Sequence, residues 1–532
     1  MEGVAYTAWK QSDWALLAVL LVGAAILRVA FVNGFGGSDD VVYLESALRV
    51  AAGNWTPATY NGALRYGFNL PAGMLFVLLG VNAWIANIWP LFCSLGEIVA
   101  LYVLARLYAG QRAAIISAAI LATIPLHIGV ATRIHADPVV SFFLTLSFVL
   151  FYVAERRGAR AVFLAAGLSM GMVFWVKELA VVTLLAFLSY PLAFRRWDRK
   201  WTFVVLGGMI MFALHLLLMQ ILAGDPLYVI KTVVGQVQRN YISADPTEHG
   251  AGFYLHYLFL EPKHTGLAPY IALCAGISVA LRRNAFASQD LLQSYALWWL
   301  LALLAVLTLT PVSLSPLRLA VKQANYMTLF VAPISLLAGL WLARWRWGNW
   351  VAFIVIVGGV ALGAAEQRAY RIFTANSRAA VAFAAAHPND WILGTTNNAN
   401  IAGVSSLLGE HINLEDRFGA LKTEPAGRKA QLSQLMRQQP VGYTIFDMET
   451  LNWSNGPWLA PQQPPACWRA VQVLVPIDDD LSRVLLQGAI RLASTLSPRL
   501  GTEAGLALRA MLEPKVATVF QADARDLWCG GH

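Results

Sequence analysis

The chain has 532 residues, of which 58% are hydrophobic and 13% charged, and its mean hydropathy is +0.56. A soluble domain carries about 25% charged and about 45–50% apolar residues, so the composition excludes a soluble globule, a disordered chain and a fibrous repeat and leaves a multi-span membrane protein. The formal charge of +9 raises the question of topology before that of partners, because cytoplasmic loops collect Lys and Arg.

A bilayer core of about 30 Å needs roughly 20 apolar residues per helix. Runs of that kind fall near 14–35, 82–106, 113–131, 138–154, 161–176, 179–194, 201–222, 266–281, 291–311, 323–343 and 348–364, about eleven spans. The opening segment has no basic n-region or small-residue cleavage site, so the expectation is an uncleaved first span. The run 68–80 (FNLPAGMLFVLLG) is short and holds Pro71, which predicts an interfacial or re-entrant helix.

With a cytoplasmic N-terminus, alternate loops run from Arg106 to Arg112 and then read ERRGAR (155–160), RRWDRK (195–200), RRN (282–284) and RWRW (344–347). All are basic, as the positive-inside rule requires. The excess positive charge therefore reports topology, and a nucleic-acid partner loses its support. The odd span count places 365–532 outside the cytoplasm. There DWILGTT, VGYTIFDM and WRAVQVLVPI alternate with ANIAGVSSLLG, RKAQLSQLMRQ and SRVLLQGAIRLAS, the pattern of a small α/β domain. The expected fold class is thus an all-α polytopic membrane domain, 1–364, with a small C-terminal extracytoplasmic α/β domain, 365–532. Cys93 and Cys274 fall in spans and read as core residues. Cys467 and Cys529 share the external domain, where a disulfide is plausible.

The outer face carries the residues capable of chemistry. The first outer loop, 36–81, opens with GGSDDVVYLESALRV. Asp39 and Asp40 can serve as a general base or as hard ligands for a divalent cation, or can simply complement a helix N-terminus capped by Ser38. Tyr43 lies four residues from Asp39, on the same helix face. In ATRIHADPVV (131–140) Arg133, His135 and Asp137 crowd a short loop, either a functional cluster or an interfacial belt, and Pro138 pins it. Lys177 and Glu178 interrupt FWVKELAVV. Adjacent residues cannot pair across a helix, so each needs another partner, and Lys177 suits a phosphate or an aspartate; a plain hairpin marker is the alternative. The long outer loop 223–265 holds Lys231, Arg239, Tyr241, His249, His256, Lys263 and His264, better suited to an anionic head group than to zinc. Arg318 and Lys322 precede the tenth span. Inside the bilayer, Arg28 and Glu97 are costly alone, and pairing between them is the economical expectation.

In this order the motifs resemble the GT-C superfamily of polytopic glycosyltransferases, in particular the protein O-mannosyltransferase and lipid A aminoarabinose transferase group. The resemblance rests on the acidic pair Asp39-Asp40 followed by Tyr43, the long first outer loop, Asp137 after the third span, and GLSMGMVFWVK ending at Lys177. FYLHYLFLEPKHTGLAPY (253–270) and SPLRLAVKQANYMTLFVAPISLLAGL (315–340) complete it, over about 14–364. Two departures stand out. LRYGFNLP, with Arg65, replaces the Lys-Pro-Pro stretch of close aminoarabinose transferases, and Asn325-Tyr326 replaces a common Arg-Tyr.

The resemblance implies transfer of a sugar from a polyprenyl-phosphate donor to a lipid, glycan or protein acceptor on the extracytoplasmic face of a bacterial plasma membrane, with inversion. Asp39, Asp40 and Asp137 are then the catalytic candidates, and would be the ligands of any divalent cation (Mg2+ or Mn2+). Tyr43, Arg65, His135, Lys177, Glu178, Arg239, His256, Lys263, His264 and Lys322 are candidates for the donor phosphate and substrate. The alternatives are an oligosaccharide ligase or en bloc transferase using a lipid-linked donor, and a secondary transporter, which would instead place ionisable groups at the bilayer midplane.

Overall fold

The structure is a computed structural model. It describes residues 9–243, 250–282, 291–315, 317–411, 414–420, 441–450, 464, 467–474, 480–512 and 516–521; the side chains of 179–181, 237–243, 415, 420, 441, 480–482, 507 and 509–511 are outside the description. Contacts divide the chain into two units. The first comprises Met1–Val32, Ser46–Gly80 and Trp84–Gly363, and the second comprises Asn33–Glu45, Val81–Ala83 and Ala364–His532.

The first unit is helical. Its long helices are α1 (Gln11–Ala30), α4 (Ala83–Ala109), α7 (Asp137–Arg157), α11 (Thr202–Ala223), α16 (Leu291–Leu309), α17 (Thr328–Leu342) and the start of α18 (Gly348–Ala386). Counting the short turns that lead into α11 and α17, seven helices among the described residues are long and apolar enough to cross a membrane. An eighth candidate is the pair α5 (Gln111–Thr123) and α6 (Pro125–Ala131), bent by 62°. The bend has a sequence cause: Pro125 opens α6, and the residue before a proline is driven out of the helical region, as Ile124 is at φ −62° and ψ 125°.

Every apolar run marked in the sequence is helical here, but three are shorter than a full span. These are α8 (Arg160–Val176), the segment Leu184–Phe194 and α15 (Ala268–Ala280). Pro191 breaks the second into α9 (Leu184–Leu188) and α10 (Tyr190–Phe194). The run 68–80 forms α3 (Tyr66–Leu79), a short apolar helix. Connecting elements include α12 (Tyr228–Ser243), α13 (Phe253–Leu260), α14 (Pro262–Thr265) and the hairpin β1 (Pro311–Leu314) with β2 (Leu317–Leu319).

Small residues set the closest helix contact, between α8 and α11. A Cβ on Gly167 would strike the Val204 carbonyl oxygen, and one on Gly207 the Leu164 carbonyl. The spacing Gly167-x-x-x-Gly171 is the small-residue stripe that lets backbones approach where lipid offers no hydrophobic driving force. The Trp175 indole donates to the Met211 carbonyl at 2.8 Å and fixes the register. The same stripe points α8 toward Lys177, its C-terminal cap.

The second unit is built on a five-stranded sheet in the order β4-β3-β5-β7-β6. The strands are β3 (Trp391–Gly394), β4 (Phe418–Ala420), β5 (Val441–Asp447), β6 (Arg469–Leu474) and β7 (Ala517–Gln521). β3 runs parallel to β4 and β5, and β7 is antiparallel to β5 and β6. Ile392, Ile445, Val519 and Phe418 pack under the C-terminal part of α18 and α19 (Thr396–Leu407). Helices α20 (Asp480–Leu496) and α21 (Pro498–Leu512) lie between β6 and β7 in sequence. The three strands expected from the sequence are present; the helix expected at 428–438 lies outside the described residues. Asn33–Glu45 belongs to this unit, so the start of the 36–81 loop and of α2 (Asp39–Ala51) packs with the C-terminal residues.

Introducing a side chain at the α8–α11 contact overpacks it at a cost of about 1–3 kcal/mol. Gly207→Leu should therefore lower the thermal midpoint of the detergent-purified protein. Gly208→Ala, whose Cβ meets nothing nearer than 3.9 Å, should leave it unchanged.

Candidate functional site

Asp137 is the first residue of α7, with Pro138 behind it, and Lys177 follows the last turn of α8. The two helices are consecutive, so their near ends meet. The Lys177 ammonium reaches the Asp137 carboxylate at 2.7 Å, and Asp137 is fully buried. The second oxygen of Asp137 accepts from the Asn325 amide at 3.3 Å and is also paired with the His135 ring. Lys177 further sits 4.2 Å over the ring of Tyr326, a cation–π contact that gains strength when desolvated. Of the partners offered for Lys177 by the sequence, the aspartate is the one it meets here.

Around this pair the chain gathers more charge. Arg65, at the N-terminus of α3, faces Glu178 at 3.8 Å. Burial raises the Glu178 carboxyl above its ordinary range, with Arg65 opposing. Arg65, Asp137 and Glu178 all lie within electrostatic reach of Tyr326. Lys322 is fully buried just before this turn and donates to the Ala320 carbonyl at 3.2 Å. Burial lowers its ammonium below the usual value. The structure therefore joins Arg65, His135, Asp137, Lys177 and Glu178, which are far apart in sequence, and adds Asn325 and Tyr326.

His256, Lys263 and His264 gather elsewhere. They surround Glu261 at 3.2, 2.9 and 3.5 Å. Burial works to raise the Glu261 carboxyl, and Lys263 with the histidines outweighs it, leaving a net lowering. Lys231 pairs with Asp225 at 2.7 Å, and Arg318 is exposed on β2. Arg239 and Tyr241 are in α12 but their side chains, like His249, lie outside the described residues. Cys93 is buried and Cys274 exposed, both free. Cys467 is disulfide-bonded; its expected partner Cys529 lies outside the described residues.

The acidic pair is held in the second unit. Asp40 is buried and turns back on its own loop. One of its carboxylate oxygens accepts from the amides of Gly36 and Gly37, the other from Ser38 at 2.6 Å. That is the role of an aspartate shaping a turn. It differs from the expectation of a proton-accepting Asp40, whose lone pairs are here engaged by backbone. Asp39 is half-buried and Tyr43 wholly buried, so the Tyr43 ring serves packing.

The expected Arg28–Glu97 pair is corrected by a residue between them. The Arg28 guanidinium contacts the His127 ring at 2.7 Å, and the far ring nitrogen of His127 meets Glu97 at 3.2 Å. Ser141 and Thr145 also donate to Glu97, at 2.9 and 2.8 Å, while Arg28 donates to Ser94 at 2.9 Å. Buried charges that stay in a bilayer need all such partners. His127 is visible in the sequence as a polar ring in an apolar run, as His215 is, but its place between two charges is tertiary.

A divalent cation was tested against these groups. Among the described residues no three His, Cys, Asp or Glu side chains cluster at metal-binding distances. Asp137 is already paired with Lys177 and His135, and the oxygens of Asp40 accept from backbone amides, so neither offers an open carboxylate to a cation. The donor set does not fit, and no step below is routed through a metal.

The family described as dolichyl-phosphate-mannose-protein mannosyltransferase matches residues 70–218, a stretch that contains Asp137 and Lys177. An undecaprenyl phosphate-alpha-4-amino-4-deoxy-L-arabinose arabinosyl transferase of Edwardsiella ictaluri is 27% identical over 285 residues. That match covers 50% of this chain and spans 50% of the relative's length. Among solved structures, ArnT from Cupriavidus metallidurans bound to undecaprenyl phosphate superposes with a TM-score of 0.56 at 15% identity, covering 87% of this chain and 97% of ArnT. An oligosaccharyltransferase of Archaeoglobus fulgidus in complex with zinc and sulfate gives 0.52 at 13% identity, over 81% and 68%.

Removing one partner of a buried ion pair costs about 3–5 kcal/mol, because the other charge is stranded. Lys177→Met should therefore destabilise the protein more than the double variant Asp137→Asn/Lys177→Met. Thermal unfolding of the three forms in detergent checks the order.

Proposed function

We propose that the chain is a glycosyltransferase of the GT-C superfamily and that it moves a sugar from a polyprenyl-phosphate donor to a lipid, glycan or protein acceptor on the outer face of a bacterial plasma membrane. The buried Asp137–Lys177 pair, set where helix ends meet and inside the segment matched by the family, is the observation that carries the reading. In this topology the N-terminus is cytoplasmic, 1–364 is the membrane part, and 365–532 is extracytoplasmic.

In the reaction the bond between the sugar's anomeric carbon and the phosphate oxygen breaks. A bond from the acceptor oxygen to the anomeric carbon forms, and the polyprenyl phosphate leaves with the bonding electrons. The acceptor's proton passes to a carboxylate, a step worth about 10²–10⁴ in rate. Asp39 is assigned that role on the resemblance of the acidic pair, while Asp40 shapes the turn before it by accepting from Gly36, Gly37 and Ser38. Negative charge growing on the phosphate calls for fixed cations in a dry site. Arg65 is the first candidate because it lies with Asp137 and Glu178 around Tyr326 at the head of α3. Lys177 adds charge from a position fixed by Asp137, which acts as a positioning residue. A lipid-linked donor fits the architecture, because the prenyl tail stays among apolar helices while the phosphate reaches their polar ends.

The en bloc ligase reading keeps the same donor logic and differs in the size of the glycan moved. A transporter is less well supported: the charges inside the helices, Arg28, His127 and Glu97, are tied to one another and to Ser94, Ser141 and Thr145, an arrangement suited to holding helices together.

Transfer from a radiolabelled polyprenyl-phosphate sugar in proteoliposomes tests the proposal. Asp39→Asn should slow turnover by about 10²-fold or more with undecaprenyl phosphate binding unchanged, and Arg65→Met should weaken that binding. Full transfer by Asp39→Asn would refute the assignment of the base.

A further inference from the structure

The first outer loop is fastened to the C-terminal residues at a series of points inside the second unit. The Asn33 side-chain amide donates to Gln367, and Thr374 donates its hydroxyl to the Asn33 carbonyl at 2.8 Å. Phe35 packs against the core formed by α18, α19 and the sheet. Gly37 adopts φ +75° and lies so close to Asn397 that a Cβ would collide with its side chain. The Asn400 amide donates to the Gly37 carbonyl at 2.7 Å. Both conditions at position 37 call for glycine.

Asn397 is itself anchored. Asn397 donates to Ser377 of α18 at 2.8 Å, and its neighbour Asn398 donates to Ser377 at 3.1 Å and to Asp447 at 3.1 Å. Asp447, fully buried at the end of β5, also accepts from Asn376 at 3.0 Å and from Thr450 at 2.7 Å. Thr395 caps α19 and meets Thr450 at 2.7 Å. A polar network thus ties the sheet to the start of α19, from which Asn400 reaches the Gly36–Gly37 turn, whose amides bind Asp40.

We propose that the C-terminal α/β domain is the seat of the acidic loop, and that Asn400 and Asn397 are positioning residues that set the backbone of 36–40 and so the direction of Asp39. A segment with two adjacent glycines has much conformational freedom to lose. The asparagine clamp removes that freedom before substrate arrives, which is how a supporting shell raises turnover. This gives the domain a part in the reaction through the loop it holds, and it rests on the reading of Asp39 as the base.

The test uses the full chain in lipid nanodiscs, comparing wild type with Asn400→Ala and with Asn400→Asp, which turns a carboxylate toward the Gly37 carbonyl. Hydrogen exchange of the peptide covering 34–41 is read beside sugar transfer. The expected result is exchange about fivefold faster or more, corresponding to one lost hydrogen bond, and a turnover number reduced about tenfold. The KM for the donor and the thermal midpoint should stay near wild type, which a general loss of structure would not allow. Unchanged exchange at 34–41 in both variants would overturn the clamp. Faster exchange with wild-type turnover would overturn its positioning role. If the clamp variants loosen the loop while Asp39→Asn transfers sugar normally, the failure lies with the base assignment.

Discussion

A carboxylate and an ammonium withdrawn from water together must remain together, since either alone carries a large desolvation cost. Asp137 and Lys177 are bound by this rule at 2.7 Å. Because one opens α7 and the other closes α8, the pair fixes where two helices end. Asn325 and Tyr326, entering α17, complete its surroundings. A short stretch of polar chain at the head of three helices is thereby held without flexibility, and Arg65 and Glu178 are set beside it. The local chemistry of the proposed phosphate site follows from that one buried contact.

Other parts of the first unit serve the same geometry. Gly167, Gly171 and Gly207 let α8 lie against α11 closely enough that Lys177 leaves its last turn at a defined height. The Arg28–His127–Glu97 chain holds α1, α4 and α6, and the Ser141 and Thr145 bonds carry that constraint onto the first turns of α7, just after Asp137. In the second unit a different device does comparable work: buried Asp447 organises asparagines that grip a glycine turn.

How far this was legible in the sequence depended on whether the cause was local. Apolar runs located the long helices of the first unit, because span length is a property of contiguous residues. Pro125 and Pro191 shortened or bent two of them, a local effect whose extent is set by neighbours. Lys177 was marked by its place in an apolar stretch, and its partner followed from two adjacent helix ends. By contrast, His127 lies between Arg28 and Glu97 only because α6 folds back toward α1 and α4. Asp40 looked like half of an acidic pair, yet Gly36 and Gly37 before it made an amide-lined turn equally available. His256, Lys263 and His264 were grouped by sequence proximity alone, and Glu261, which sits among them, claimed all three. The joining of Asn33–Glu45 to the C-terminal residues spans most of the chain, and no periodicity or motif encodes it.

The central claim is that the chain works on a polyprenyl-phosphate donor, and native mass spectrometry of the detergent-released protein with added undecaprenyl phosphate tests it directly. The account predicts a one-to-one adduct with the wild-type chain that weakens in Arg65→Met. Equal adduct formation with a neutral polyprenol of the same length, unaffected by that substitution, would contradict recognition of the phosphate and with it the proposed chemistry.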